Sequence, residues 1–280
     1  MYFMVRWVLI VYFSGNIASA MHILVNGPAA RRGKLLSSCA ENPGPGSPSL
    51  VFTEMPGPES PSLVFTENPK PENLSTVDLS TVDLIIDLAF DQHPELLHFY
   101  MAHTNPGAFF ILHANTLSLR ETAHSLGLVE HLPRIAGVNA WPGCLDGPLW
   151  EMSVGHDAAL DPLKLYSEAL GFQFERVEDR VGLVTPRVMC MIINEAYLTL
   201  QEGTADRADI DLAMKLGTNY PGGPFEWAER WGLGEVSRML QSLQSATGDP
   251  RYKRSQLLIE EALVFNEQLN SMVNHMPSNI

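Results

Sequence analysis

Short apolar runs rich in β-branched and aromatic residues recur through the first half of the chain, each bounded by turn formers. They are MHILVNG from Met21, SLVFTE from Ser49, DLIIDLAFD from Asp83 and AFFILHANT from Ala108. Runs of this length and make-up predict strands. Between or after them, HPELLHFYMAH from His93 and ETAHSLGLVEHL from Glu121 place their apolar residues at helical spacing. Strands separated by crossover helices predict a parallel sheet, Rossmann-like in its alternation. The stretch GVNAWPGCLDGPLWEM, Gly137 to Met152, predicts a strand running out, a Trp-Pro-Gly turn, and a return strand carrying one acid, Glu151. From about Asp179 the pattern changes to long amphipathic segments without strand signal. The expected fold is therefore an α/β N-terminal domain, residues 21–178, followed by an all-α C-terminal domain, residues 179–280.

Two stretches interrupt this plan. ENPGPGSPSLVFT, Glu41 to Thr53, is repeated as EMPGPESPSLVFT, Glu54 to Thr66, and LSTVDLSTVDL follows from Leu74. These units are too short and too few for a solenoid. Residues 41–72 are expected to be a duplicated Pro/Gly-rich insertion in which one copy of SLVFT holds the interior strand position and the other lies at an edge or in a loop. Residues 1–20 contain Arg6, an apolar stretch from Trp7 to Phe13, and Ala18-Ser19-Ala20. That is the pattern of a weak secretory signal. Met21 opening the first strand gives the competing reading, a start site placed twenty residues too early. The expectation is that residues 1–20 lie outside the folded domain, that the protein is cytoplasmic, and that it is exported only if the segment is a genuine signal.

Composition narrows the functions. A chain of 280 residues, 45% hydrophobic and 18% charged, is long enough for two packed domains. A net charge of −14 argues against a phosphate-backbone partner, so no nucleic acid is expected. No stretch reaches the eighteen or more apolar residues of a membrane helix, so no membrane partner is expected. Cys39, Cys144 and Cys190 are spaced neither as a disulfide framework nor as a zinc site, and no metal is expected.

Ile193 to Val236 reads INEAYLTLQEGTADRADIDLAMKLGTNYPGGPFEWAERWGLGEV. Its local chemistry is legible without comparison: Gly203 ends one helix, Asp206 caps the next, and Pro221-Gly222-Gly223-Pro224 turns the chain into FEWAERWG. The order Glu-Gly, Asp-Ile-Asp, Lys-Leu-Gly, Pro-x-Gly-Pro-Phe-Glu closely resembles the C-terminal domain of NAD-dependent 3-hydroxyacyl-CoA dehydrogenases. DLIIDLAFD, HANTLSL and RIAGVNAWPGCLDGPLWEMSV are similar, more weakly, to consecutive elements of that family's N-terminal half. The resemblance implies oxidation of a short 3-hydroxyacyl-CoA, with hydride passed to NAD, a His as general base and a Glu orienting it. It also implies a homodimer formed through the C-terminal domain.

Carried over position by position, the resemblance places Asn139 where the family has its His and Glu151 where it has the orienting acid. The substrate-contacting Ser falls on Leu117, with Ser118 next to it and Asn115 two residues before; the family's Asn falls on Pro186, with Arg187 kept. Asn takes no proton near neutral pH, so Asn139 and Glu151 are expected to pair structurally. Dinucleotide binding calls for Gly-x-Gly-x-x-Gly after the first strand. This chain offers NGPAARRGK, with Gly27, then Pro28, which has no amide hydrogen to give a pyrophosphate. Glu67 is placed like the acid that holds the ribose, and Asp91 like the family's acid after the fourth strand. His113 and His156 are the candidates for a substitute base. The alternative to an impaired dehydrogenase is a catalytically inactive relative that binds acyl-CoA or acts as a dimeric interaction protein.

Overall fold

The computed structural model describes residues 7–11, 21–26, 51–54, 65–66 and 79–274. The chain divides into two compact units, Met1–Leu183 and Val184–Ile280. Composition changes at Asp179, but the segment that begins there is anchored to the first unit, as the site geometry shows below.

The first unit is built on one sheet. Its strands are β1 (Trp7–Val11), β2 (Met21–Asn26), β3 (Val51–Glu54), β4 (Phe65–Thr66), β5 (Leu84–Asp87), β6 (Phe109–His113), β7 (Ile135–Val138), β8 (Leu149–Val154) and β9 (Gln173–Val177). They run in the order β3-β1-β2-β5-β6-β7-β8-β9, with β4 also paired to β2. Strands β2, β5, β6 and β7 are parallel neighbours, as the alternating pattern predicts. The outer parts depart from an all-parallel sheet: β8 is antiparallel to β7, and β1 is antiparallel to β2. The β7–β8 connection is too short to cross over a sheet face, so the chain must reverse. Trp7–Val11, expected outside the fold, supplies an edge strand from its Val-Leu-Ile-Val run. Both SLVFT copies contribute strands: the first pairs antiparallel with β1, and the second takes the parallel position beside β2.

The central strands are apolar on both faces because helices cover both. Leu84, Ile86, Phe109, Ile111, Ala136 and Val138 point to one side, against Leu163, Tyr166 and Leu170 of α3 (Leu160–Leu170). Ile85, Phe110, Leu112 and Ile135 point to the other, against Leu96, Leu97 and Tyr100 of α1 (Leu96–His103) and Leu119 and Ala123 of α2 (Leu119–Ser125). Gly137 is where two strands come closest: it stands opposite Ser153, and a Cβ there would lie 2.6 Å from the Ser153 hydroxyl.

The second unit is helical, with α4 (Thr185–Gln201), α5 (Arg207–Thr218), α6 (Pro224–Trp231), α7 (Leu233–Thr247) and α8 (Gln256–Asn274). Its core holds Cys190, Ile193, Tyr197, Phe225, Trp231, Met239, Leu240, Leu243 and Leu258. Burial, and then the nearby Glu235, push the Cys190 thiol up, so it behaves as a small hydrophobe. Burial likewise pushes the Tyr197 hydroxyl up to about 12. Among the described residues no helix is long and apolar enough to cross a membrane, and no group of His, Cys, Asp or Glu is arranged to hold a metal ion.

Candidate active site

Asn139 and Glu151 meet because of sheet register. In the β7–β8 pairing Gly137 faces Ser153 and Val138 faces Met152, and one step further the Asn139 N–H donates to the Glu151 carbonyl at 3.1 Å. Residues directly opposite in an antiparallel pair share a face. Asn139 Nδ2 accordingly reaches Glu151 Oε2 at 3.4 Å, and it also donates to Cys144 Sγ at 3.3 Å. Asn139 Oδ1 accepts from Asn115 Nδ2 at 2.8 Å and from the Trp141 N–H at 3.3 Å. Asn115 follows the end of β6, the strand beside β7, so the sheet brings the three residues together. Asn115 and Asn139 are buried; Glu151 is half-buried.

His113 lies next to this group but is occupied. Its Nδ1 accepts from the Ala140 N–H at 3.1 Å and lies 3.3 Å from the Val138 carbonyl. A backbone N–H can only donate, so the ring proton sits on Nε2, which faces Asp91 Oδ2 at 3.4 Å. The His113 and Asp91 side chains are both at 0% exposure, and Thr116 Oγ1 donates to the same Asp91 oxygen at 3.1 Å. The ring thus fixes the backbone on either side of Asn139, and its accepting nitrogen is used for that. His156 is exposed, and its Nδ1 accepts from the Ala158 N–H at 3.1 Å, closing a local turn.

Ser118 and Leu117 serve the fold. Ser118 is the N-cap of α2: its Oγ accepts from the Glu121 N–H at 3.4 Å and donates to Asp179 Oδ2 at 3.0 Å. The spacing Ser-x-x-Glu from Ser118 to Glu121 is a cap signature visible in the sequence. Leu117 packs against the apolar cluster around Phe110 and Leu119, which accounts for an apolar side chain there. Asp179 accepts from the Leu119 N–H at 2.7 Å and the Arg120 N–H at 2.8 Å. With Ser118, it satisfies the first three free amides of α2 and sets a negative charge at the helix's positive end. Nothing local in the sequence announces this role, because cap and helix are far apart in the chain. The Gly182 N–H then donates to the Asn115 carbonyl at 2.6 Å, tying the same segment to the amide cluster.

The cofactor positions are less complete. Gly27 and Glu67 lie outside the described residues. Asp91, expected to face a nicotinamide dinucleotide, instead turns its carboxylate onto His113 and Thr116. It does not fit a role in holding a ribose or pyrophosphate. In the second unit, Pro186 is buried in the first turn of α4, where its missing N–H has no helical partner to lose. Arg187 donates to the Tyr252 hydroxyl at 3.0 Å and lies over its ring.

In the second unit the resemblance noted in the sequence has a clear physical content. Asp206 caps α5 through the Asp209 N–H at 2.9 Å. Asp211, the last acid of Asp-Ile-Asp, accepts from the Phe225 N–H at 2.9 Å and so caps α6 from α5. A Cβ on Gly223 would overlap the Asp211 carboxyl group. Glu226 accepts from the Gly223 N–H at 2.9 Å and pairs with Lys215 of Lys-Leu-Gly. Residues 182–267 match the model for the 3-hydroxyacyl-CoA dehydrogenase, C-terminal domain.

The helical unit is that of the 3-hydroxyacyl-CoA dehydrogenases.

The chain is 38% identical over 112 residues to a 3-hydroxyadipyl-CoA dehydrogenase of Escherichia coli (strain K12), covering 40% of this chain and 24% of that protein. It is 29% identical over 186 residues to a 3-hydroxybutyryl-CoA dehydrogenase of Bradyrhizobium diazoefficiens, covering 65% of this chain and 64% of the other. The matches thus span between about a quarter and just under two thirds of these dehydrogenases. Among solved structures, M. tuberculosis FadB2 superposes with a TM-score of 0.64 at 17% identity, over 86% of this chain and 93% of that one. The (S)-3-hydroxybutyryl-CoA dehydrogenase of Ralstonia eutropha gives 0.58 at 24%, over 72% and 70%. At these identities the likeness establishes the fold shared with the dehydrogenases: a Rossmann-type sheet followed by helices.

Proposed function

We propose that this chain is a 3-hydroxyacyl-CoA dehydrogenase-like oxidoreductase that receives a short 3-hydroxyacyl-CoA and is impaired in proton transfer. One observation carries the reading. The residue opposite Glu151 is an amide, and its side chain is engaged by Glu151, Cys144, Asn115 and the Trp141 N–H. An amide cannot cycle a proton. His113 uses its accepting nitrogen on the backbone, and His156 closes a turn, which supports the absence of a substitute base. A positioned base contributes a factor of about 10² to 10⁴ in rate. NAD-linked oxidation of 3-hydroxybutyryl-CoA is therefore expected to be undetectable, or at least about a hundredfold below that of a dehydrogenase of typical turnover. Ordinary turnover abolished by replacing His113 or His156 sinks the reading and identifies the base. Calorimetric titration with NAD and NADH tests the cofactor separately, and the Asp91 geometry leads us to expect weak binding or none.

The amide cluster also favours a second reading, an inactive relative that binds acyl-CoA or acts as a dimeric interaction protein. Leu212 and Leu216, one turn apart on α5, and Leu263, Val264 and Phe265 on α8 expose much of their apolar surface. Such a surface supports a homodimer through the helical unit. Sedimentation at micromolar concentration that finds only a 31.0 kDa species excludes the dimer.

A further inference from the structure

The amide relay in the first unit has a direction, and both ends force it. A carboxylate only accepts, so Asn139 turns Nδ2 toward Glu151 Oε2. A backbone N–H only donates, so the Trp141 amide fixes Asn139 Oδ1 on its own side. Two independent partners therefore assign the same orientation to one side chain. Asn115 lies 2.8 Å from that oxygen and must present its own Nδ2 to it. The relay then runs from Asn115 through Asn139 to Glu151, each group donating to the next.

Its beginning is left open. Asn115 Oδ1 is buried in a residue with 0% exposure, and no described residue donates a hydrogen bond to it. Nearly all buried acceptors in folded proteins find a donor, because leaving one unmet forfeits its hydration without return. The neighbouring donors are committed elsewhere. Asn139 Nδ2 serves Glu151 and Cys144, and the Gly182 N–H serves the Asn115 main-chain carbonyl. The cluster is short of one donor, and Glu151 nearby adds further accepting capacity.

We propose that Asn115 Oδ1 is a recognition point for a hydroxyl group, so that the site prefers a 3-hydroxyacyl thioester to its 3-ketoacyl counterpart. This rests on the reading of the chain as a receptor for short acyl-CoA. The two ligands differ in one respect that matters here: a hydroxyl donates, whereas a keto oxygen only accepts and would meet an acceptor. An unsubstituted acyl chain brings neither. Sites built around a buried hydrogen-bonding group discriminate strongly against analogues that leave that group unpaired. The preference follows from the Asn139 amide, since only an amide held in this orientation requires Asn115 to turn its oxygen away.

The test is calorimetric titration of the full chain with 3-hydroxybutyryl-CoA, acetoacetyl-CoA and butyryl-CoA. The hydroxy ligand is expected to bind at least about tenfold tighter than either of the others. Asn115→Leu, verified as folded by circular dichroism, removes the acceptor and is expected to bring the three affinities together. Equal affinities in the unaltered protein, or tighter binding of acetoacetyl-CoA or butyryl-CoA, overturn the preference and leave acyl-CoA binding standing. Binding of none of the three overturns both. A folded Asn115→Leu protein that keeps the tenfold preference also overturns the assignment to Asn115. The comparison in the unaltered protein decides the matter even if the variant does not fold.

Discussion

The two units treat their polar residues in opposite ways. In the helical unit Asp206, Asp211, Gly223 and Glu226 all remain, and each is engaged in capping a helix or making room for a cap. In the sheet unit the positions that carry proton transfer in the resembling family hold Asn139 and Leu117, and only Glu151 is kept. The residues that make the second unit recognisable are thus residues that make it fold. Their retention establishes architecture and is silent about turnover. The chemistry must be judged in the first unit, where the same sheet geometry now supports a network of amides.

If that contrast is right, caps in both units should be worth comparable stability while changes at the altered site should restore nothing. The largest effect is expected for Asp179→Ala, which removes the acceptor of three hydrogen bonds at the start of α2 and leaves buried donors unmet. A loss of about 3 kcal/mol in urea unfolding is expected; a loss within experimental error would show that α2 is held by packing alone. Gly223→Ala forces a methyl group into the Asp211 carboxyl. It should cost about 2 kcal/mol, and restoring space with Asp211→Ala in the same chain should recover part of that. Asp206→Ala deletes an exposed cap and should cost about 1 kcal/mol, read from the same transition. Asn139→His is expected to leave NAD-linked oxidation of 3-hydroxybutyryl-CoA at the level of the unaltered protein, because Leu117, Pro186 and the Gly27–Pro28 turn differ as well. Recovery of turnover by this one change would mean that the sheet unit retains a working cofactor and substrate site.

The sequence exposes whatever is encoded locally. Continuous apolar runs give β5 and β6, and their burial on both faces explains why they do not alternate with polar residues. The strand–turn–strand pattern from Gly137 gives the Asn139–Glu151 pairing, since a reversal of that length brings those positions opposite each other. Gly203, Asp206 and the Pro-Gly-Gly-Pro turn mark helix ends by their own backbone preferences. Roles set by distant partners are not legible in this way. Ser118 was expected to touch substrate and is a cap, although Glu121 three residues on was the available clue. Asp91 was expected near a cofactor and is buried against His113, because both follow neighbouring strands whose ends the sheet brings together. Asp179 marked only a change of composition, and its partners lie on an element much earlier in the chain.

That last separation bears on how the protein is made. The carboxylate that completes the first turn of α2 is 60 residues downstream of the amide it receives. A seven-residue helix is too short to persist alone in water. On a ribosome, α2 would leave the exit tunnel well before Asp179 is synthesised, and its free amides would stay with water until the chain had passed β9. The sheet unit therefore closes late and as a whole, with its final segment acting as the clasp. A nascent chain halted before Asp179 should remain open to protease where the finished unit is closed.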